Sequence, residues 1–519
     1  MIHHSPLPTI DIPEVPLSAL VIDPAPARGD KPALVDGATG RVLTYADLDR
    51  QVRELAGGLR AHGLDTGDVV ALMAPNSPDY VVIFHAVALA GLVITTINPT
   101  YTADEVHHQF HDAGAKVVIT VGSILPVVQA AASGTDVRTI ALLDDVPADA
   151  AGVVPYASLF GPPLAEQVPV DLDTVVVLPY SSGTTGLSKG VMLTHRNLVA
   201  NIEQVRIAGA VGADDVIMGC LPFFHIYGMQ VIMNTALAAG GTVVTMPRFD
   251  LVQFLELHQR YGITYSFVAP PIVVALAKHP VVDQYDLSHV TYMMSGAAPL
   301  SAEVGEEAAA RLGCEVVQGY GMTELSPVSH MTPPGRYKPG SVGVTAPNTE
   351  TAIVDPATGE FLGIDVDGEV WVRGPGVMKG YLNNPDATAS TIDADGWLHT
   401  GDVGHIDADG HLYVVDRIKE LIKYKGFQVP PAELEALLLT HPAVADAAVI
   451  GAPDDVAGEI PSAFVVLKPG ATATETDITD FVAGQVAHYK QVRKLTFVDA
   501  IPKSPSGKIL RRILRDEYL

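Results

Sequence analysis

Apolar positions in the first 120 residues follow two rhythms. After Thr44, the residues Leu48, Val52, Leu55 and Leu59 recur at intervals of three and four, the spacing of an amphipathic helix. Thr44 and Asp47 stand in front of it as a capping box, with Asp in place of the usual Glu. Residues 68–73, unbroken in apolar character from Val69 onward, then read as a buried strand. Residues 79–89 read as a helix, a short strand opens at Ile94, and residues 116–120 read as another strand. Short apolar runs separated by helices imply parallel sheets covered on both faces. The longest apolar stretch, residues 81–94, is interrupted by His85 and reads as a buried helix entering a strand, too short for a membrane span.

Near residue 416 the texture changes. The charged segment Asp416-Arg417-Ile418-Lys419-Glu420 separates two apolar strands. Beyond it the pattern predicts a helix over 432–439, strands over 445–450 and 462–467, and a helix over 476–488. That is enough for a small α+β domain. No solenoid-type repeat and no low-complexity tract interrupts the chain.

Composition narrows the classes. The chain has 519 residues, more than one ordinary core holds, with 48% hydrophobic and 18% charged residues. A formal net charge of -27 disfavours nucleic acid and anionic membrane as partners, so any anionic ligand needs locally clustered Lys, Arg and backbone N–H groups. Two cysteines, Cys220 and Cys314, make no disulfide framework and point to a reducing compartment. The first residues lack the pattern of a secretory leader, and the last match no common targeting tail. A cytoplasmic location is the expectation.

The sharpest local signal runs from Leu178 to Gly190: a strand at 175–178 feeds a loop of hydroxyls and glycines. Glycine lets backbone N–H groups approach a phosphate closely, the hydroxyls add donors, and Lys189 adds a mobile charge. It is no Walker A loop, because Leu187 and Ser188 separate Gly186 from Lys189. The segment Tyr180-Ser-Ser-Gly-Thr-Thr-Gly-Leu-Ser-Lys-Gly-Val-Met-Leu-Thr-His195 resembles the adenylate-forming superfamily of acyl-CoA synthetases, peptide-synthetase adenylation domains and beetle luciferases. The likeness runs from Leu43 to Arg512 and falls nearest the 4-coumarate–CoA ligase group. One departure is Ser188, where most of that group carries proline, which would stiffen the loop.

The resemblance implies an α/β fold: a large N-terminal domain of stacked, mainly parallel sheets with helices and a small barrel-like subdomain, then a small mobile α+β C-terminal domain. The expected division is residues 1–416, a hinge at 417–419 and residues 420–519. It also implies the activity, an AMP-forming acid–CoA ligase that uses ATP, Mg²⁺ and coenzyme A to make an acyl-adenylate and then a thioester. Ser181, Ser182, Gly183, Thr184, Thr185, Gly186 and Lys189 would hold the triphosphate.

Gln318-Gly319-Tyr320-Gly321-Met322-Thr323-Glu324 follows the strand-like residues 315–317. Tyr320 offers a flat face to a base, Thr323 a hydroxyl, and Glu324 a hard oxygen for the metal. By likeness, Ala297 lies by the adenine, while Asp402, after a turn at Thr400-Gly401, forms a ribose clamp with Arg417. Lys508, in a Pro/Ser/Gly loop, matches the lysine that neutralises the α-phosphate and the carboxylate. Lys419 falls at the hinge. Lys423 and Gln428 would face the adenylate in a second state, and Lys425, Gly426 and Arg248 would line the CoA passage. His225 would sit near the carboxylate, and Tyr227, Val231, Met294, Ala297, Gly319, Gly321, Pro327 and Val328 would line an aryl pocket suited to a hydroxycinnamate.

The motifs are shared with medium-chain acyl-CoA synthetases and luciferase-like ligases. A carrier-protein loader is disfavoured because no Asp/Gly-Ser-Leu segment of carrier type follows Lys508. A non-catalytic nucleotide-binding regulator would be favoured by the loss of Lys508, Glu324 or Lys423, and all three are present. The expected partners are a small carboxylic acid, ATP and CoA, with no nucleic acid and no membrane span, in a monomer or weak homodimer.

Overall fold

The structure, a computed structural model, describes residues 1–519 apart from 149, 151, 182–187, 426, 455, 505 and 506. Two nine-stranded sheets share one large apolar core. The first runs Tyr180–Ser181, Lys189–Thr194, Val175–Val177, Val93–Thr96, Val69–Met73, Ala115–Thr120, Thr139–Leu142, Val153–Pro155, with Gly380–Tyr381 added beside Lys189–Thr194. It is parallel from Val175–Val177 to Val153–Pro155 and antiparallel around Lys189–Thr194. Its pleat explains the unbroken apolar run at 69–73. Val70 and Leu72 enter the large core, while Val69, Ala71 and Met73 face a second core with Val106 and Phe110 of helix Ala103–Ala113.

The second sheet runs Val344–Thr345, Val328–Met331, Glu315–Gly321, Tyr292–Ser295, Tyr265–Val268, Val216–Gly219, Thr242–Thr245, Pro32–Asp36, Val42–Thr44. It is parallel inside and antiparallel at both edges. Helices Tyr45–Ala61 and Pro78–Leu89 contribute side chains to the core between the sheets. The capping box at Thr44 and Asp47 forms as read, each side chain accepting from the other's backbone N–H. His85 is fully buried within Pro78–Leu89, and burial lowers its pKa to about 3, so it stays neutral.

The small subdomain is an antiparallel sheet of Ile2–His4, Glu350–Val354, Gly368–Arg373, Leu398–Ile406 and Leu412–Arg417. Its own core includes Ile353, Val370, Leu398 and Leu412. An isolated bridge, Val344 to His411, and the Thr351 hydroxyl, in contact with His330 and Thr345, tie it to the second sheet.

Residues beyond 420 build a separate core around Ile422, Leu434, Val449, Val465 and Ile478. Its sheet pairs Phe427–Val429, Ile422–Tyr424, Gly458–Leu467 and Val444–Asp454, with Lys494–Phe497 parallel to Gly458–Leu467. The helix read over 476–488 is Glu475–Ala483 instead. A Thr474–Asp477 capping box starts it, and Gly484, a poor helix former, closes it. No helix among the described residues is long and apolar enough to cross a membrane.

Candidate active site

The site forms where strand Glu315–Gly321 changes partners. It runs parallel to Tyr292–Ser295 as far as Gln318, then turns antiparallel to Val328–Met331 from Gly319. The sheet therefore opens at the carboxyl ends of its parallel strands, where ligands of open α/β sheets bind. Gln318 accepts a hydrogen bond from the Leu300 N–H at 3.0 Å, pinning the loop that carries Ala297. Ala297 adopts a left-handed backbone, with φ of 72°. A side chain at Gly321 would meet the Pro327 carbonyl at 1.9 Å, so close backbone approach alone demands glycine there.

Tyr320 donates from its phenol to Asp402 at 2.6 Å. Asp402 does not follow a free turn, as the Gly-Asp pair suggested. It lies within strand Leu398–Ile406, directly opposite Arg417, whose Nε stands 3.4 Å from its carboxylate. Burial raises the Asp402 pKa, while Arg417, the Tyr320 hydrogen bond and Lys508 oppose that rise. Tyr320, Asp402 and Arg417 thus form one polar group.

A second group surrounds Glu324. Its buried carboxylate accepts hydrogen bonds from Ser181 Oγ at 3.1 Å and Tyr381 OH at 2.8 Å, both on Oε1. The Lys189 ammonium lies 4.3 Å from the centre of the Tyr381 ring, a cation–π contact. Ser181, Lys189 and Glu324 therefore meet although 143 residues separate Ser181 from Glu324. Thr323 is half-buried in the same short turn, Thr323–Leu325. Ser182, Gly183, Thr184, Thr185 and Gly186 lie outside the described residues. Tyr381 escaped the sequence reading. Its two-residue strand has no periodicity, and its neighbours Asn383, Asn384 and Pro385 signal only a turn.

Lys508 joins both groups from the far end of the chain. Its loop is closed by the Ser504 N–H donating to the Lys508 carbonyl at 2.8 Å, the Lys508 N–H donating to Ser504 Oγ at 3.2 Å, and a bridge from Lys503 to Ile509. Gly507, with φ of 83°, lies against Pro271 and Ala269 at the start of helix Pro270–Lys278, so the loop rests on the large domain. Lys508 is half-buried, and burial followed by Arg417 lowers its pKa to about 8 against the pull of Asp402, Glu324 and Glu420. His225 is affected in turn. Burial and Lys508 lower its pKa to about 4. Its Nδ1 accepts from the Tyr227 N–H at 3.3 Å, which leaves the neutral ring's proton on Nε2.

The chain is similar to known proteins over nearly its whole length. Residues 23–382 match the family described as AMP-binding enzyme, and residues 433–508 match the AMP-binding enzyme C-terminal domain. The chain belongs to the AMP-binding enzyme family. It is 46% identical to 4-coumarate--CoA ligase 2 of Petroselinum crispum, over 99% of this chain and 96% of that one. It is 45% identical to 4-coumarate--CoA ligase of Vanilla planifolia over the same shares. Among solved structures, ATP-bound MatB from Rhodopseudomonas palustris is similar with a TM-score of 0.88 and 32% identity, over 97% of this chain and 98% of that one. The anthranilate CoA ligase AuaEII in complex with anthranoyl-AMP reaches a TM-score of 0.91 at 26% identity, covering 98% of each chain. With these relatives the protein is an AMP-forming acid–CoA ligase of the adenylate-forming superfamily.

The remaining residues of the ligase fall into two sets. Tyr227 opens a π-helical stretch, Tyr227–Asn234, donates from its phenol to the Met294 carbonyl at 3.0 Å, and lays its ring on Gly296. Met294 in turn covers Gly319, and Pro327 and Val328 cover Gly321. Val231 is fully buried in the same core. These expected pocket residues are contiguous. The expected thiolation residues are not drawn to this site. Lys423 and Gln428 are cross-strand partners on an exposed hairpin, and Lys425 beside them is exposed with φ of 48°. Lys419 is exposed in the turn after Arg417, and Arg248 is exposed ahead of helix Leu251–Tyr261. Gly426 lies outside the described residues.

Proposed function

We propose that the ligase activates 4-coumarate or a related hydroxycinnamate with ATP and passes the acyl group to coenzyme A. The observation that carries this reading is the delivery of Lys508 to the charges of Asp402, Glu324 and Arg417, beside neutral His225. In the first half-reaction a carboxylate oxygen bonds to the α-phosphorus, and the bond to the pyrophosphate oxygen breaks. Two anions must meet, and the Lys508 ammonium neutralises both most strongly where their charges converge. Ser181 and Lys189 hold the triphosphate with residues 182–186, Tyr320 and Ala297 face the base, and Asp402 with Arg417 takes the ribose hydroxyls. Glu324 suits Mg²⁺: it is a buried carboxylate whose two described hydrogen bonds fall on one oxygen, leaving the other for a hard cation. The ion would supply positive charge to the phosphate oxygens.

In the second half-reaction the CoA thiol loses its proton and its sulfur bonds to the acyl carbon, releasing AMP. Lys423 and Gln428 serve this step after residues 420–519 rotate about 417–419, with Lys419 as the pivot. Lys425, Gly426 and Arg248 line the CoA path. Tyr227, Met294 and Val328 favour a flat aryl acid. We place the enzyme in the cytoplasm as a monomer or weak homodimer.

AMP release from ATP, measured across a panel of hydroxycinnamates, benzoates and medium-chain fatty acids with and without CoA, tests the proposal. Acid-dependent release, highest with hydroxycinnamates and turning over only with CoA, is expected. Release indifferent to every acid, or none at all, overturns it. A preference for medium-chain acids replaces the substrate and keeps the chemistry.

A further inference from the structure

One helix of the first sheet's outer layer, Ala103–Ala113, touches both stems of the phosphate-binding loop. On the near stem, Tyr180 donates from its phenol to Asp112 Oδ2 at 2.7 Å. On the far stem, His108 Nε2 lies 3.2 Å from the Ser188 carbonyl. A carbonyl only accepts, so His108 donates from Nε2. The two stems pair as antiparallel strands, Tyr180 opposite Gly190. A side chain at Gly190 would stand 3.1 Å from the Tyr180 ring, so the phenol crosses directly over the far stem to reach Asp112. The His108 ring packs edge-on against Tyr180, with centroids 6.3 Å apart. Asn383 Nδ2 donates to the other carboxylate oxygen of Asp112 at 3.2 Å. Asn383 lies two residues beyond Tyr381, which holds Glu324.

We propose that Asp112 and His108 are positioning residues for ATP: they clamp the stems of the phosphate loop so that Ser181 and Lys189 meet the triphosphate. The inference rests on the ligase reading above. A stem held at Tyr180 and at Ser188 has little freedom to splay, and Asp112 links it to the strand that presents Tyr381. Burial and the Asp112 carboxylate both raise the Tyr180 pKa, so the phenol stays a donor throughout the working range. The clamp acts on the loop without touching substrate, so its removal weakens ATP capture and leaves attack on a preformed acyl-AMP alone.

The test compares wild type, Asp112→Ala, Asp112→Asn, Tyr180→Phe and the Asp112→Ala/Tyr180→Phe pair in both half-reactions. Asp112→Ala and Tyr180→Phe are each expected to raise KM for ATP about tenfold with kcat within about twofold, since misplacement of binding groups is amplified in this way. The pair should be no worse than either single change, and Asp112→Asn, which keeps an acceptor, should recover most of the loss. Thioester formation from supplied acyl-AMP should match wild type in all of them. An unchanged KM for ATP in Tyr180→Phe, or equal loss in both half-reactions, overturns the clamp while leaving the ligase reading intact. Failure of wild type to form acyl-AMP with any acid overturns both.

Discussion

Lys508 releases its proton far more readily than an ordinary lysine, because burial and Arg417 outweigh the carboxylates around it. In the proposed adenylation its ammonium is the form that neutralises phosphate and carboxylate, so the sign of the pH effect follows. With ATP unbound, adenylation measured as kcat/KM for ATP should decline as pH rises through about 8. Triphosphate bound as proposed would add negative charge beside Lys508 and should move the corresponding limb in kcat to higher pH. Lys508→Arg, which stays charged throughout, should remove this limb at reduced rate. An unchanged limb in that variant would assign it to another group. The effect on stability has its own sign. Between pH about 8 and 10.5 the unfolded chain holds a proton that the folded one releases, so this group's contribution rises with pH in that window. His225, held neutral with a pKa of about 4, adds no titration near pH 7. The sequence marked Lys508, Glu324 and Asp402 because their motifs set them apart. Tyr381, Asp112 and His108 were not legible: their contacts run between segments far apart in the chain, and no local pattern of theirs differs from a turn or a solvated helix face.

At the scale of elements, the strand Glu315–Gly321 gathers the site by switching from one partner to another, and glycine makes the switch sterically possible. Gly321→Ala would place a methyl carbon 1.9 Å from the Pro327 carbonyl oxygen. The hairpin must then open, and we expect a loss of at least ~2 kcal/mol in denaturant unfolding, with ATP-dependent activity falling alongside it. Retention of wild-type midpoint and activity would show that the close packing is dispensable. Periodic elements were legible for physical reasons. The helix after Thr44 and the strand at 69–73 bury whole faces, so their apolar spacing records the structure directly. The strand read at 315–317 extends to Gly321, hidden because its glycines and half-exposed Tyr320 interrupt the apolar signal. Asp402 read as a turn residue because Gly-Asp usually is one. Here Gly401, with φ of 72°, sits inside a strand between the register-paired residues His399 and Asp402.

For the molecule as a whole, the acidic chain concentrates cations where the proposed reaction brings anions together. Lys189, Arg417 and Lys508 converge beside Glu324 and Asp402 from three separate regions. The small domain presents Lys508 to that centre while its Lys423–Gln428 hairpin is exposed elsewhere. In the proposed catalytic cycle the two lysines serve different half-reactions. The direct test measures both half-reactions in Lys508→Ala and Lys423→Ala: acyl-AMP formation from ATP and acid, and thioester formation from supplied acyl-AMP and CoA. Lys508→Ala is expected to lose about a hundredfold or more in the first step alone, and Lys423→Ala as much in the second step alone. Equal losses in both steps, in either variant, would contradict this assignment.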